Sequence, residues 1–355
     1  MQVYLNETQK EIVETKEKKV VVMSVPASGK TAVLTERVKY LIENGADPSK
    51  IVVITFTNAA AEEMKKRIGN IGQGVFINTI HSYANYILLS HGIDTSRVLS
   101  DENFDGLFEL VSDNPDCIQD VDFLLVDEAQ DCDSNQFTFL LNYVCADSFF
   151  FVGDLRQTIY EWRDSRPDIL FKLMQEPEVV TYKLQQNYRN GTEIITFASN
   201  IINKLGYKYT DNTIPMRKDR GRVVKMTYGI DNIADKILYG SGDFKDWFIL
   251  TRTNDQLKEI YDGLTAQGIP CETFKKSDLD SDSLRDKLNN DTVKVLTIHA
   301  AKGLEAKNVI VVGAFFRPGD DESYRIAYVA ATRARDLLIW CTAPKKKKIA
   351  ITNWE

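Results

Sequence analysis

The chain lacks the features of a metal-stapled, secreted or membrane-embedded protein. Its 355 residues contain five cysteines and three histidines. Cys117, Cys132, Cys145, Cys271 and Cys341 form no Cys-x-x-Cys pair, so neither a structural zinc site nor a disulfide framework is expected. No stretch approaches the ~18 consecutive apolar residues of a membrane span. Residues 1–19 alternate charges where a secretory signal would place its apolar segment. A cytoplasmic protein without a membrane partner is the expectation. There is also no sequence repeat of ~20–50 residues and no Gly/Ser linker.

What remains is an ordinary globular composition, 43% apolar and 27% charged, on a chain long enough for two domains. The net charge of −7 is unevenly spread: residues 1–180 carry −13 and residues 181–355 carry +6. On charge alone, either the second half is suited to face a polyanion or the asymmetry is a solubility pattern only. Short β-branched and aromatic runs at 20–25, 51–56, 75–78, 123–126 and 149–152 alternate with helical stretches. A second series follows at 179–184, 223–226, 247–250, 293–298, 309–312 and 337–341, with helical candidates at 193–204, 254–267 and 322–335. Alternation of this kind predicts an α/β fold with parallel sheets, divided into domains at 1–178 and 179–355. Segments 92–121 and 275–292 are polar and weakly periodic and read as surface excursions; the lysine run 345–348 reads as a solvated tail.

The first strand runs into SVPASGKT, with Ser28, Gly29, Lys30 and Thr31 at the head of a helix. In such a phosphate loop, backbone N–H groups and the helix N-terminus cradle phosphate oxygens. The Lys reaches the β- and γ-phosphates, and the Thr hydroxyl ligates Mg²⁺. In FLLVDEAQD an apolar strand ends in Asp127 and Glu128. The first carboxylate suits Mg²⁺, and the second can orient or deprotonate a hydrolytic water. Capping of the next helix accounts well for Asp131 or Asp133 and poorly for an apolar strand that runs straight into Asp-Glu. Lys30, Thr31, Asp127 and Glu128 together predict Mg²⁺-dependent hydrolysis of a nucleoside triphosphate.

Nine segments in order, LNETQKEIV, SVPASGKT, VITFTNAAAEEM, NTIHSYA, LLVDEAQD, VGDLRQTIYEWR, LQQNYR, LTIHAAKGLE and YVAATRAR, give the chain a resemblance to the UvrD/Rep/PcrA-type DNA helicases of superfamily 1. The resemblance implies two RecA-like P-loop NTPase domains that hydrolyse ATP in the cleft between them and move 3′→5′ on single-stranded or tailed duplex DNA. By motif, Gln9 would read the adenine edge and Gln157 would sense the γ-phosphate. From the second domain, Tyr188 would stack on the adenine, Arg189 and Arg333 would reach the γ-phosphate, and Glu305 would lie near the ribose or metal. Phe56, Tyr160 and Trp162 would stack bases, while Thr57, Asn58, Thr79, His81, Arg163 and His299 would make backbone or base contacts.

Departures from the family pattern stand at Ala32, where an Arg is usual, and at Ile80 and Ala306, where aromatics are common. Family members insert accessory domains at positions matching 92–121 and 275–292, but both segments fall below the ~40 residues usual for an independent fold. A pared two-domain motor core is therefore expected. A nucleic-acid-stimulated ATPase acting as a sensor or as a regulatory subunit, with a nuclease or a replication or repair factor as partner, is the alternative. A P-loop kinase would leave Gln157, Arg333 and the aromatic residues without a role.

Overall fold

A computed structural model describes residues 4–160, 165–206, 212–274, 283–314, 316 and 319–342. The chain forms two compact units. The first reaches Arg189 and takes back Ile202–Met216; the second starts at Asn190. The first sheet contains β1 (Lys19–Ser24), β2 (Ile51–Thr55), β3 (Phe76–Thr79), β4 (Gln119–Val126), β5 (Val144–Gly153) and β6 (Val180–Leu184), all parallel, in the order β3-β2-β4-β5-β1-β6. A two-residue ribbon joins β7 (Gln186–Asn187) to β8 (Ile214–Pro215). The second sheet contains β9 (Arg222–Thr227), β10 (Trp247–Thr251), β11 (Cys271–Thr273), β12 (Val293–Thr297), β13 (Ala306–Val312) and β14 (Ala334–Thr342), again all parallel, in the order β11-β12-β10-β13-β14-β9.

Central strands are apolar along their whole length because helices cover both faces of such sheets: every residue of β2 (IVVIT) and of β10 (WFILT) is buried. In the first unit Val20, Val22, Val53, Leu125 and Val152 pack against Val33, Leu34 and Val38 of helix Lys30–Glu43. In the second, Ile249, Val295, Ile310 and Ile339 pack against Ile233, Ile237, Ile260 and Leu264. All five cysteines are free, and among the described residues no helix is long and apolar enough to cross a membrane.

Three expectations are corrected here. The run 179–184 was assigned to the second domain, but as β6 it pairs with β1 over Val20–Ser24 and completes the first sheet, which moves the boundary from 178/179 to 189/190. Segment 92–121 is more than a polar excursion: it contains helices Ser96–Ser100 and Gly106–Asp113, with Leu107, Phe108 and Val111 buried. Phe108 packs against Phe139 with ring centroids 5.5 Å apart and planes tilted by 55°, tying the segment to helix Ser134–Asn142. In segment 275–292, residues 283–289 are helical and 275–282 lie outside the described residues, as does the lysine run 345–348. The helix expected at 322–335 ends at Ala331, because β14 starts at Ala334.

Candidate functional site

Three neighbouring strands, β4, β5 and β1, end side by side, so the loops that follow them meet at the C-terminal edge of the first sheet, the usual ligand edge of an open α/β fold. After β1 the chain turns through Ala27 (φ 56°) and Gly29 (φ 85°) into helix Lys30–Glu43. Gly29 is needed there twice over. Its φ is one that L side chains rarely adopt, and an added Cβ would lie 2.7 Å from Gln9 Nε2. As N-cap it offers no side-chain acceptor to the first turn, whose N–H groups thus remain suited to an anion. Ser28 Oγ is buried in this loop without a hydrogen-bond partner. Gln9 braces the loop: its Nε2 donates to Ser28 O at 2.9 Å, and its Oε1 accepts from Asn6 N at 3.0 Å in the capping box of helix Glu7–Glu14.

After β4, Asp127 is buried, and its Oδ1 accepts from Glu128 N at 2.9 Å. Burial, and then the neighbouring Glu128 charge, push the Asp127 carboxyl up to about 6, against the opposing pull of Lys30. Glu128 occupies the left-handed region (φ 49°), unusual for a residue with a side chain. Its Oε1 accepts from Lys30 Nζ at 2.6 Å and its Oε2 from Gln130 Nε2 at 2.6 Å. Burial alone would lower the pKa of Lys30, but Glu128 and Asp127 outweigh it and raise the pKa. Lys30 is thus a firmly held cation.

After β5, Asp154 is fully buried; it accepts from Arg156 Nε at 2.7 Å and from Gln157 Nε2 at 2.9 Å. Arg156 in turn donates to Ser24 O at 2.7 Å, at the entrance to the phosphate loop. Lys30, Asp127, Glu128 and Gln157, selected from sequence, are therefore brought onto one hydrogen-bonded edge. Gln130, Asp154 and Arg156, which connect them, were missed. Their signal lay inside the motifs DEAQD and GDLRQ, but polar residues there read as surface. Asp133 caps helix Ser134–Asn142, accepting from Gln136 N at 2.8 Å, as the capping reading expected.

Tyr188 and Arg189 were expected from the second domain and belong to the first unit. Tyr188 N donates to Ala27 O at 3.2 Å, its hydroxyl bonds Asn6 and Gln186, and Asn187 Nδ2 donates to Pro26 O at 2.9 Å. Strand β6 leads the chain straight back over the phosphate loop, so Tyr188 lies beside Asn6, which also caps the helix carrying Gln9. Arg189 N is held by Asn187 Oδ1 at 2.9 Å.

Residues expected to meet nucleic acid follow β2 and β3 at the same edge. Phe56 is partly buried and Asn58 is exposed. Thr57 and Thr79 have taken structural work as N-caps, accepting from Ala60 N and Ser82 N. His81 is part-exposed, lies 3.4 Å from Asp105 Oδ1 and packs on Phe108. Tyr160 departs from its expected role as an exposed platform. It is 4% exposed and stacks on Phe56, with ring centroids 5.5 Å apart and planes 19° apart. The charged stretch around it concealed an aromatic partner on another loop. Trp162 and Arg163 lie outside the described residues.

In the second unit His299 is half-buried in the turn after β12. Glu305 is exposed and faces Arg335 at 4.0 Å. Arg333 is 2% exposed, and its guanidinium donates to Val329 O, Leu304 O and Thr332 Oγ1 at 3.0–3.2 Å.

The family model for the UvrD/REP helicase N-terminal domain matches residues 5–114 and 114–178, and that for the UvrD-like helicase C-terminal domain matches residues 292–340. The chain is 26% identical to a probable DNA helicase of Mycoplasma pneumoniae, over 94% of this chain and 82% of the relative. It is 26% identical to the ATP-dependent DNA helicase PcrA of Leuconostoc citreum (75% of this chain, 49% of the relative) and 25% identical to the ATP-dependent DNA helicase Rep of Escherichia coli (75% and 54%). It thus spans about half the length of the PcrA and Rep relatives. Two parallel sheets, a phosphate loop joined to an Asp-Glu pair, and matches to both halves of one family lead to one assignment: the chain belongs to the UvrD/Rep helicase family.

Proposed function

We propose that this chain is a DNA-stimulated ATPase that moves 3′→5′ along single-stranded DNA, unwinding duplex weakly or with help from a partner. The observation that carries the reading is the continuous set of contacts from Lys30 through Glu128 to Gln130, Asp154 and Gln157. The orphaned Ser28 Oγ and the uncapped helix start beside it fit a triphosphate.

Among the described residues no group of three or more His, Cys, Asp or Glu could hold a metal alone. Asp127 and Thr31 would therefore hold Mg²⁺ jointly with phosphate oxygens, the mode usual for this ion. When bound, it would neutralise charge on the β- and γ-phosphates. Lys30 would leave Glu128 for the phosphates, freeing Glu128 Oε1 to orient a water. The water oxygen forms a bond to the γ-phosphorus, the bond to the bridging oxygen breaks with its electron pair going to ADP, and the water proton passes toward Glu128. Gln157 would sense the γ-phosphate, and Arg333 would add positive charge to the transition state. Tyr188 would stack on the adenine with Gln9 at its edge, and Arg189 and Glu305 would complete the nucleotide shell.

On the nucleic-acid side, Phe56, backed by Tyr160, would stack a base, with Thr57, Asn58, Thr79, His81, Trp162, Arg163 and His299 contacting the strand. Phe56→Ala is expected to weaken single-strand binding by ~1–3 kcal/mol, about 5- to 150-fold in Kd, with ATP affinity unchanged. Tyr160→Ala should instead lower the melting temperature, because truncating a buried aromatic costs about 3–5 kcal/mol. Fluorescence anisotropy and thermal melting measure the two. Unchanged binding by a folded Phe56→Ala variant would remove Phe56 from the DNA contact.

Small insertions at 92–121 and 275–292 favour translocation over unaided unwinding. Each base-pair step costs about 1.4 kcal/mol of stacking stability to open, and the strands must then be kept apart. Displacement of a labelled strand from 3′- and 5′-tailed duplexes, beside translocation on bare single strands, tests this. Preference for a 5′ tail would contradict the polarity. Efficient unaided unwinding of a long duplex would contradict the weak motor.

A further inference from the structure

We propose that Gln130 is a positioning residue that holds the Glu128 carboxylate in its hydrolytic orientation and fixes it to the loop carrying Gln157. This rests on the ATPase reading above and adds a residue to it. Gln130 is fully buried in the middle of the short 3-10 turn Ala129–Asp131, whose N-cap position is Glu128. Its Nε2 donates to Glu128 Oε2 at 2.6 Å, and its Oε1 accepts from Asp154 N at 2.9 Å. These partners set the amide orientation without ambiguity, since the reversed amide would turn an oxygen toward a carboxylate and an NH₂ toward a backbone N–H. The fit is close on the far side too: a Cβ on Gly153 would come 2.7 Å from Gln130 Oε1.

The two oxygens of Glu128 thereby have separate partners. Oε1 meets Lys30, the cation that incoming phosphate would draw away. Oε2 meets Gln130, a neutral donor that phosphate has no charge reason to displace. When Lys30 turns to a triphosphate, the Gln130 bond continues to constrain a carboxylate carried on a left-handed backbone at φ 49°. The same side chain ties that carboxylate to Asp154, whose Oδ2 accepts from Gln157 Nε2 at 2.9 Å. A misplaced catalytic group loses rate steeply, because reaction needs near-attack geometry. Gln130 is thus placed to affect the chemical step more than ATP affinity.

The test compares wild type with Gln130→Met, which is similar in length but removes both hydrogen bonds, and with Gln130→Glu, which keeps the acceptor for Asp154 N and puts a carboxyl in place of the amide donor to Glu128. Steady-state ATPase gives kcat and KM, a fluorescent ATP analogue gives binding, and thermal melting reports folding. The expected result is a fall in kcat of at least tenfold in both variants with nucleotide binding within threefold of wild type. The double variant Glu128→Gln/Gln130→Met should be no slower than Glu128→Gln alone, because Gln130 acts through Glu128. Wild-type kcat in either folded variant, or equal losses of kcat and nucleotide binding, would overturn the assignment. If Gln130→Met fails to fold, Gln130→Glu decides by the same criteria. Should wild type itself show no ATPase, the functional reading fails and takes this inference with it. ATPase in wild type with unaffected Gln130 variants rejects this inference alone.

Discussion

Glu128→Gln is expected to bind ATP with near wild-type affinity and to lose about 10²–10⁴-fold in turnover, the usual contribution of a positioned general base. The amide preserves size and can still occupy the site beside Lys30, but it loses the negative charge that orients a water and accepts its proton. Removing that charge also relieves the repulsion that helps to push the Asp127 carboxyl up to about 6. The Asp127 pKa should therefore fall, and Asp127 should be charged, as a Mg²⁺ ligand must be, at lower pH than in wild type. Lys30→Ala should behave differently, losing phosphate affinity as well as rate. Nucleotide binding and single-turnover hydrolysis separate the two variants. Hydrolysis by Glu128→Gln at the wild-type rate would remove Glu128 from the chemical step.

Arg333 carries the second large effect. An arginine that completes phosphoryl transfer is worth ~10³–10⁵ in kcat in other NTPases, so Arg333→Ala should lose most turnover while keeping DNA binding. Arg333 also serves its own unit, since its guanidinium donates to Leu304 O and Val329 O. Truncating this buried side chain loses both bonds, about 1 kcal/mol of net stability each, and the variant should melt lower than wild type. Arg333→Lys retains the charge and loses the planar fork; it should recover part of the rate if charge is what matters. A turnover loss below about threefold, with lowered melting, would leave Arg333 a structural residue only.

The strands were legible because buried parallel strands have to be apolar end to end: IVVIT and WFILT admit little else. Ownership of a strand was not legible. The run VTYKL reads alike in either sheet, and only its pairing with β1 assigns it, together with Tyr188 and Arg189 beyond it, to the first unit. The phosphate loop and the Asp-Glu pair were visible as strand-to-motif junctions. Gln130 and Asp154 were hidden because polarity in a sequence reads as exposure, whereas both are wholly buried where the ends of β4 and β5 adjoin. Tyr160 failed in the opposite direction: charged neighbours suggested a surface, and the partner that buries it, Phe56, lies about a hundred residues away after β2.

ATP turnover titrated separately with single-stranded DNA, duplex DNA and RNA decides whether this chain is an ATPase driven by single strands. The expected result is a low basal rate, strong saturable stimulation by single-stranded DNA that declines as salt rises, and weaker stimulation by duplex or RNA. Turnover indifferent to every nucleic acid would contradict it.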